Sequence, residues 1–309
     1  MTTGTNLSID AGYELSTYYN YVKAWVIYSE KTFGSGDDGI NKLVDTMKSK
    51  TAVNKLRNDM KYINTLRPDY LRGKYTLLLM KQLPIDRYPE LALSANMWLP
   101  VQSYYAINGV GLALLSALDQ RGREDNHRAF RASFANLLHS YFPPPFCARC
   151  EGGPDKSCFS FININTTAAQ VIQQSNLQNP SYAVGNSFLG KSLATTRTEV
   201  LGKEYEDRRQ DKKRKGCQSP KLSKNEKRGI WTKWHGTTIC DLLYRMRVQS
   251  NYKNPDMYLF AIDNVDDAAS HYRNLRYITE LIIAGLDLLI VRKIGKQEMM
   301  KLNNVIALA

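Results

Sequence analysis

Apolar residues recur at helical spacing near the end of the chain. Between Asp267 and Ile290 they are Ala268, Tyr272, Leu275, Ile278, Ile282, Leu286 and Leu289. This spacing matches the period of an α-helix for about six turns. The pattern therefore predicts one long amphipathic helix, which follows a break at Asn254-Pro255.

The segment from Leu91 to Leu118 is apolar on more than one face. One stripe contains Val101, Tyr105, Leu112 and Leu115, and the other contains Tyr104, Ile107, Leu114 and Leu118. A helix that is apolar nearly all round belongs inside a bundle. Pro100 suits the first turn of such a helix, and Gly109 and Gly111 permit a close neighbour.

The remaining segments predict further helices with short breaks. The N-terminal part indicates helices over Ile9–Tyr28 and Asn41–Leu66, the second ended by Arg67-Pro68. A loop is expected at residues 34–39, which are rich in glycine. A further helix begins at His127 and is stopped by the prolines at 143–145.

Residues 147–235 have a different composition. They are rich in Asn, Gln, Ser and Thr up to Leu201 and then become strongly basic. The stretch SFININ, residues 160–165, favours a short strand. We interpret this region as an insertion that is partly ordered at best. The helical pattern resumes at Gly236.

The chain is thus expected to be mainly α-helical. It divides into an N-terminal helical region at 1–90, a bundle at 91–146 plus 236–295, an insertion at 147–235 and a C-terminal tail at 296–309. The sequence contains no run of 18 apolar residues, so no membrane span is expected. The N-terminus lacks the pattern of a secretory signal, which makes the cytoplasm the default location.

The net charge of +13 favours an anionic partner such as nucleic acid. The densest basic run contains Arg208, Arg209, Lys212, Lys213, Arg214 and Lys215. It suits a phosphate backbone, and because no aromatic residues interrupt it, such contact is expected to be independent of sequence and sensitive to salt. The alternative is a solvated linker whose charge is partly cancelled by acidic neighbours.

Five cysteines, an odd number, argue against a disulfide framework in a chain without an export signal. Cys147, Cys150 and Cys158 begin with the C-x2-C spacing of a zinc knuckle. A fourth ligand is needed, and the candidates are Cys217, His139 and His235. The spacing leaves two interpretations open, a structural zinc ion or free thiols, and zinc in catalysis is not expected.

Four segments in this order resemble the HEPN superfamily. They read SYYAINGVGLALLSALDQRG, HRAFRASFANLL, LLYRMRVQSNY and DDAASHYRNLRYITELI, and cover about residues 91–141 and 236–292. The resemblance implies an antiparallel four-helix bundle that pairs as a homodimer. Members of the family include metal-independent endoribonucleases of toxin–antitoxin and phage-defence systems, and others bind nucleotides or partners without catalysis.

The resemblance places a candidate catalytic site at Arg245, Arg247 and Asn251. In HEPN ribonucleases an arginine is followed four to six residues later by a histidine. The ribose 2′-OH attacks the phosphate, the arginine stabilises the developing charge and the histidine transfers a proton. Asn251 stands where that histidine is expected. Because asparagine can hydrogen-bond a phosphate but cannot exchange a proton near neutral pH, the sequence favours binding over cleavage.

His127 is the second candidate for a catalytic residue. With Arg121 it also fits the arginine-to-histidine spacing, and in an antiparallel bundle the start of its helix lies near the Arg245–Tyr252 segment. The alternative is a structural or capping residue at the helix start.

The segment around Arg245 also has plainer interpretations. Arg245 and Arg247 are candidates for ion pairs with Asp241 or with the acidic residues Asp263, Asp266 and Asp267. Tyr252 is a candidate ligand contact, or it packs under the long helix.

Two functions therefore follow as hypotheses. The first is an RNA- or nucleotide-binding HEPN-like protein, or a metal-independent endoribonuclease of a toxin–antitoxin or phage-defence system. The second is a non-catalytic helical module that works with a nucleotidyltransferase-type or other protein partner. An antitoxin is a further candidate partner. An unrelated helical protein is the third possibility. The sequence has no Walker-type loop, dinucleotide glycine pattern or nucleophile elbow.

Overall fold

A computed structural model describes residues 4–59, 61, 63–119, 126–153, 156–173, 185–217, 220–253 and 264–307. For residues 4–16, 156, 172, 173 and 185 only the backbone is described. The protein is mainly helical, as the hydrophobic pattern predicts. None of the described helices has the length and apolar character needed to cross a membrane.

The helices in chain order are α1 (Gly4–Phe33), α2 (Gly36–Lys48), α3 (Thr51–Asn54), α4 (Ile63–Gln82), α5 (Leu91–Ala117), α6 (His127–Tyr141), α7 (Ala168–Gln173), α8 (Gly185–Arg214), α9 (Lys224–Lys233), α10 (Ile239–Val248), α11 (Val265–Ile294) and α12 (Lys296–Ala307). Strands β1 (Arg149–Glu151) and β2 (Ser160–Ile162) pair antiparallel, with Cys150 opposite Phe161. A 3₁₀ helix spans Lys156–Cys158 and a π-helix spans Gln249–Lys253.

Helix α5 is the centre of the core and confirms the prediction for Leu91–Leu118. It packs against α4, α6, α10 and α11, so its residues are buried on most sides. The contact with α4 is backbone to backbone, because a Cβ at Gly109 would lie 2.7 Å from the Gly73 nitrogen. The expected role of Pro100 in a first turn is wrong. The helix begins at Leu91 and continues through the proline, since the buried Ala92 and Leu99 hold the preceding turns in the core.

Helix α11 confirms the long helix predicted from its apolar spacing and extends it at both ends. Its N-cap is Asn264, whose side chain accepts a hydrogen bond from the Asp266 N–H at 2.8 Å. It ends at Gly295, which has a φ of +86°. The apolar face of α11 packs on α5, so the first and last helices of the predicted bundle are neighbours.

The N-terminal third departs from the predicted boundaries. The predicted loop at 34–39 is wrong beyond Ser35, because α2 begins at Gly36. The predicted single helix Asn41–Leu66 is also wrong, since α2, α3 and α4 share that stretch and α4 continues through Pro68. Proline normally disrupts a helix interior. Here the face containing Leu66 and Tyr70 is buried, and this packing outweighs the local preference.

The insertion is more regular than its composition predicts. Strand β2 confirms the short strand in SFININ, but the expectation of partial order at best is wrong for α8, a helix of 30 residues. The first half of α8 packs on α1, where Trp25 Nε1 donates to Ser192 Oγ at 3.1 Å. Arg197 joins this half of α8 to the rest of the insertion, donating to the Gly152 carbonyl at 2.6 Å and to the His235 carbonyl at 3.1 Å.

Residues 296–307, within the expected C-terminal tail, form α12. Met299 and Leu302 are buried. The helix lies along α4, where the Tyr70 hydroxyl donates to Asn303 Oδ1 at 3.0 Å.

Candidate functional site

A buried carboxylate, Asp241, joins α6, α10 and the segment before α10. It lies in the first turn of α10, and its Oδ2 accepts a hydrogen bond from the Thr238 N–H at 2.9 Å. Its Oδ1 lies 2.7 Å from Arg131 Nη1 and 3.0 Å from His235 Nε2. Burial alone would raise the pKa of this carboxyl, but His235 and Arg131 outweigh burial and hold the pKa below its ordinary value.

Arg131 connects this carboxylate to the start of α6. Its Nε donates to the His127 carbonyl at 3.2 Å, and its guanidinium lies over the Tyr244 ring at 4.3 Å. Asn126 caps the helix by accepting a hydrogen bond from the Ala129 N–H at 2.8 Å. The capping role considered for His127 is therefore wrong. Arg121, with which the sequence pairs His127, lies outside the described residues.

The His127 ring lies among tyrosines. Its Nδ1 is 3.0 Å from the Tyr104 hydroxyl oxygen, and its centroid is 6.0 Å from the Tyr105 ring and 5.5 Å from the Tyr244 ring. Burial and the positive charges of Arg247 and Arg131 lower the pKa of His127 below its ordinary value. The imidazole is accordingly favoured in its neutral form at neutral pH.

Arg247 is the second cation beside His127. It is 5 % exposed, and its Nη2 donates to the Tyr105 hydroxyl at 2.6 Å and to the Tyr252 hydroxyl at 3.4 Å. Its guanidinium also lies 5.8, 5.1, 5.6 and 5.4 Å from the ring centres of Tyr104, Tyr105, Tyr244 and Tyr252. We call Arg247, His127 and these four tyrosines the Arg247 cluster.

No carboxylate pairs with Arg247 in the part of the chain that the structure describes. The Nε of Arg247 is buried there without a hydrogen-bond partner. A buried guanidinium that meets hydroxyls and rings in place of a carboxylate retains its affinity for an anion.

Arg245 has a different environment although it lies on the same helix. It forms an ion pair with Glu199 of α8, and its guanidinium lies over the Tyr18 ring at 4.9 Å. The ion-pair interpretation is confirmed for Arg245, with Glu199 as the partner and not Asp241. Arg245 is thus not part of the Arg247 cluster.

The two other residues of the predicted site lie on the π-helix after α10. Asn251 is half-buried there. Tyr252 is 67 % exposed, so the expectation that it packs under the long helix is wrong. The exposed Tyr252 ring therefore forms the outer edge of the cluster, with the buried Arg247 beneath its hydroxyl.

A cleft of about 550 Å³ opens beside the cluster. Its lining includes His127, Arg131 and Tyr244 of the bundle and Lys203 and Asp207 of α8. Trp234 also lines the cleft, with Arg128 over its ring at 4.6 Å. A space of this size accommodates a small molecule such as a nucleotide.

The three cysteines of the predicted zinc site differ in their surroundings. Cys147 and Cys150 are buried, while Cys158 is exposed. The described residues contain no group of three or more His, Cys, Asp or Glu side chains that could hold a metal ion. Among the candidate fourth ligands, His235 is engaged with Asp241 and His139 Nδ1 lies 3.4 Å from Asn163 Nδ2. Structural zinc stays a prediction without support from this geometry.

The basic run lies on the last turns of α8 and just beyond them. The interpretation as a linker is wrong for Arg208–Arg214, which are helical. Three of the basic side chains form ion pairs, Arg209 with Glu206, Lys212 with Glu226 and Arg214 with Asp211. Arg208, Lys213 and Lys215 form none among the described residues.

Sequence reasoning gave no role in the site to Arg131, Tyr104 or Tyr105. It also missed the central role of Asp241, for which one signal was available, because Thr238 and Asp241 have the spacing of a helix-capping box.

Comparison with protein families, curated proteins and solved structures finds no match for this chain. The fold and the site define a mainly helical protein with a buried arginine–tyrosine cluster at the edge of a cleft.

Proposed function

We propose that this protein binds RNA or a nucleotide through its phosphate at the Arg247 cluster, as an HEPN-like protein. The proposal rests on the environment of Arg247. The Tyr105 and Tyr252 hydroxyls hold its guanidinium in one orientation, beside His127. An arginine held in one orientation donates two parallel hydrogen bonds to a phosphate. The exposed Tyr252 ring offers a surface on which a base stacks.

The charges around His127 support an anionic ligand. Arg131 and Arg247 both lie close enough to lower the pKa of His127, and Asp241 balances Arg131 while it also contacts His235. The cluster therefore carries excess positive charge within a mostly buried site. A phosphate placed there reduces this repulsion and restores the pKa of His127 toward its ordinary value.

A second candidate function is metal-independent cleavage of RNA. The supporting observation is a neutral imidazole next to a guanidinium, the pair of groups that the family's chemistry requires. His127 would take the proton from the ribose 2′-OH while the 2′-oxygen bonds to the adjacent phosphorus and Arg247 stabilises the phosphate in the transition state. The bond from phosphorus to the 5′-oxygen would break, the leaving 5′-oxygen would take a proton from water, and a 2′,3′-cyclic phosphate would remain. Asn251 cannot transfer the proton, so cleavage depends on His127.

Binding is tested with Arg247→Gln, using titration calorimetry with AMP and fluorescence anisotropy with a labelled 12-nucleotide RNA. We expect at least a tenfold rise in Kd, because a buried charge-assisted hydrogen bond contributes about 1.5–3 kcal/mol. Arg245→Gln is the matched control on the same helix and is expected to leave Kd within about twofold of the wild type, since Arg245 is paired with Glu199. Equal losses in the two variants, both folded by circular dichroism, contradict the proposal.

Cleavage is tested by incubating the same RNA with the protein in EDTA and separating the products. Products from the wild type that disappear in His127→Gln, while RNA binding persists, support a ribonuclease. Cleavage that survives in His127→Gln rules out this role for the histidine. Homodimer formation and an antitoxin or nucleotidyltransferase-type partner remain predictions of the resemblance alone.

A further inference from the structure

The second half of α8 extends away from the core together with α9. In the described stretch from Gly202 to Cys217 no residue is buried, and α9 has no buried residue either. The two helices contact each other, with Lys212 Nζ 2.8 Å from Glu226 Oε1 and Lys227 Nζ 5.8 Å from the Tyr205 ring centre. We call residues 202–217 and 220–233 the α8–α9 hairpin.

Local sequence features define both ends of the hairpin turn. Gly216 has a φ of +75°, and its N–H donates to the Lys213 carbonyl at 3.0 Å, which ends α8. At the start of α9, Ser223 Oγ accepts from the Glu226 N–H at 3.2 Å, and Glu226 accepts from the Ser223 N–H at 2.8 Å. The basic side chains are thus displayed by helices with defined ends.

The hairpin carries much of the positive charge of the protein. Residues 202–233 contain twelve basic and five acidic side chains. Six of the basic residues lie near the turn, namely Lys212, Lys213, Arg214, Lys215, Lys221 and Lys224. The sequence near this turn contains only two acidic residues, Asp211 and Glu226, to offset their charge. The far end of the hairpin is therefore a concentrated cationic surface.

The other end of the hairpin is the wall of the cleft. Lys203 and Asp207 of α8 line it, and so does Trp234, which directly follows α9. Twelve residues separate Lys203 from Lys215, a span of roughly 18 Å along the helix axis. A nucleotide that fills the cleft cannot reach the cationic end. A single strand that runs along the hairpin covers this span with several successive phosphates.

We infer that the ligand is a single-stranded polynucleotide, which places one nucleotide at the cleft and runs its backbone along the α8–α9 hairpin. This inference rests on the proposed function, because the Arg247 cluster provides the site at which the strand is anchored. A cleft of about 550 Å³ accommodates a single nucleotide and not a base-paired duplex. Contacts along the hairpin are to phosphates, so they add affinity without sequence preference.

The test measures Kd for AMP and for labelled oligoadenylates of 2, 4, 6, 8 and 12 nucleotides at several KCl concentrations. For the full-length wild type we expect affinity to rise with length and to level off within this series, once the strand spans the hairpin. In Lys213→Gln/Lys215→Gln/Lys224→Gln this gain is lost, and the slope of log Kd against log salt falls by about 2, or about 0.7 for each lost phosphate contact. The control Lys42→Gln/Lys55→Gln/Arg57→Gln removes the same charge from exposed residues near α2 and α3 and is expected to match the wild type.

The outcomes separate this inference from the proposed function. Affinity that is independent of length, with AMP binding still lost in Arg247→Gln, overturns the hairpin as a binding surface and leaves the proposed site intact. A 12-mer that binds equally to the wild type and Arg247→Gln, but weakly to the hairpin variant, supports the hairpin and overturns the site. The inference is also overturned if the full-length protein binds vesicles with 30 % phosphatidylserine through the hairpin while the hairpin variant leaves the Kd for RNA unchanged. The cationic surface then belongs to a membrane site.

Discussion

The two faces of α10 place an arginine in different environments. Arg245 and Arg247 are two residues apart, so they project about 200° apart around the helix. Arg245 faces α8 and is neutralised by Glu199. Arg247 faces α5 and the start of α6, where it meets tyrosine hydroxyls and rings. The same residue type is thus a structural ion pair on one side and an anion-binding group on the other.

The largest effect is expected from Asp241→Asn, which removes the buried carboxylate that holds Arg131 near the Arg247 cluster. Arg131 and His235 lose their common partner inside the protein, and an unpaired buried charge costs about 3–5 kcal/mol. The free energy of unfolding in urea should fall by that amount. The matched control Asp86→Asn breaks the exposed pair with Arg273 and is expected to cost no more than about 1 kcal/mol. Similar losses in both variants contradict the structural role of Asp241.

The next effect concerns the hydroxyl that orients Arg247. Tyr105→Phe removes the 2.6 Å hydrogen bond to its guanidinium but retains the ring. We expect Kd for RNA to rise about tenfold, or about 1.4 kcal/mol, because the arginine loses its fixed orientation. Tyr88→Phe on the surface serves as the control. An unchanged Kd in Tyr105→Phe shows that the hydroxyl does not position Arg247 for binding.

A smaller effect is expected on the opposite side of α10. Glu199→Gln leaves Arg245 without its carboxylate and should lower the free energy of unfolding by about 1 kcal/mol, since Glu199 is partly exposed to water. The Kd for RNA should stay unchanged. Stronger RNA binding in this variant indicates that Arg245 can also bind phosphate once released, and it removes the distinction between the two arginines.

The helices could be predicted where apolar spacing and burial agree, as in α5, α6 and α11. Prediction failed where long-range packing decides. Helix α4 continues through Pro68 because its buried face packs on α5, and α8 was missed because its exposed second half is polar.

The candidate site could be predicted only in part. Arg247, His127 and Tyr252 could be identified, yet the sequence offers no means to distinguish Arg247 from Arg245. The pair of Arg131 with Asp241 joins residues 110 positions apart, and no local pattern records such a contact.

The smallest expected effect is a dependence of the Kd for RNA on pH. Its source is His127, which lies on the same side of α10 as Arg247. The pKa of His127 is below its ordinary value of about 6.5 in the free protein, because of burial and the positive charges of Arg247 and Arg131. A bound phosphate raises that pKa, so binding takes up a proton and affinity increases as the pH falls from about 7 toward 5. We expect a change of several-fold by anisotropy at constant ionic strength.

Two variants locate the source of this dependence. His127→Gln should flatten the dependence of Kd on pH, because the titrating group is gone, while Arg245→Gln should retain it. A ligand phosphate with its own pKa near 6 also titrates in this range, so the labelled RNA should lack a terminal phosphate. A wild-type affinity that does not vary with pH means that the bound phosphate does not reach the His127 side of the cluster. The ligand would then contact Arg247 from the direction of Tyr252 only.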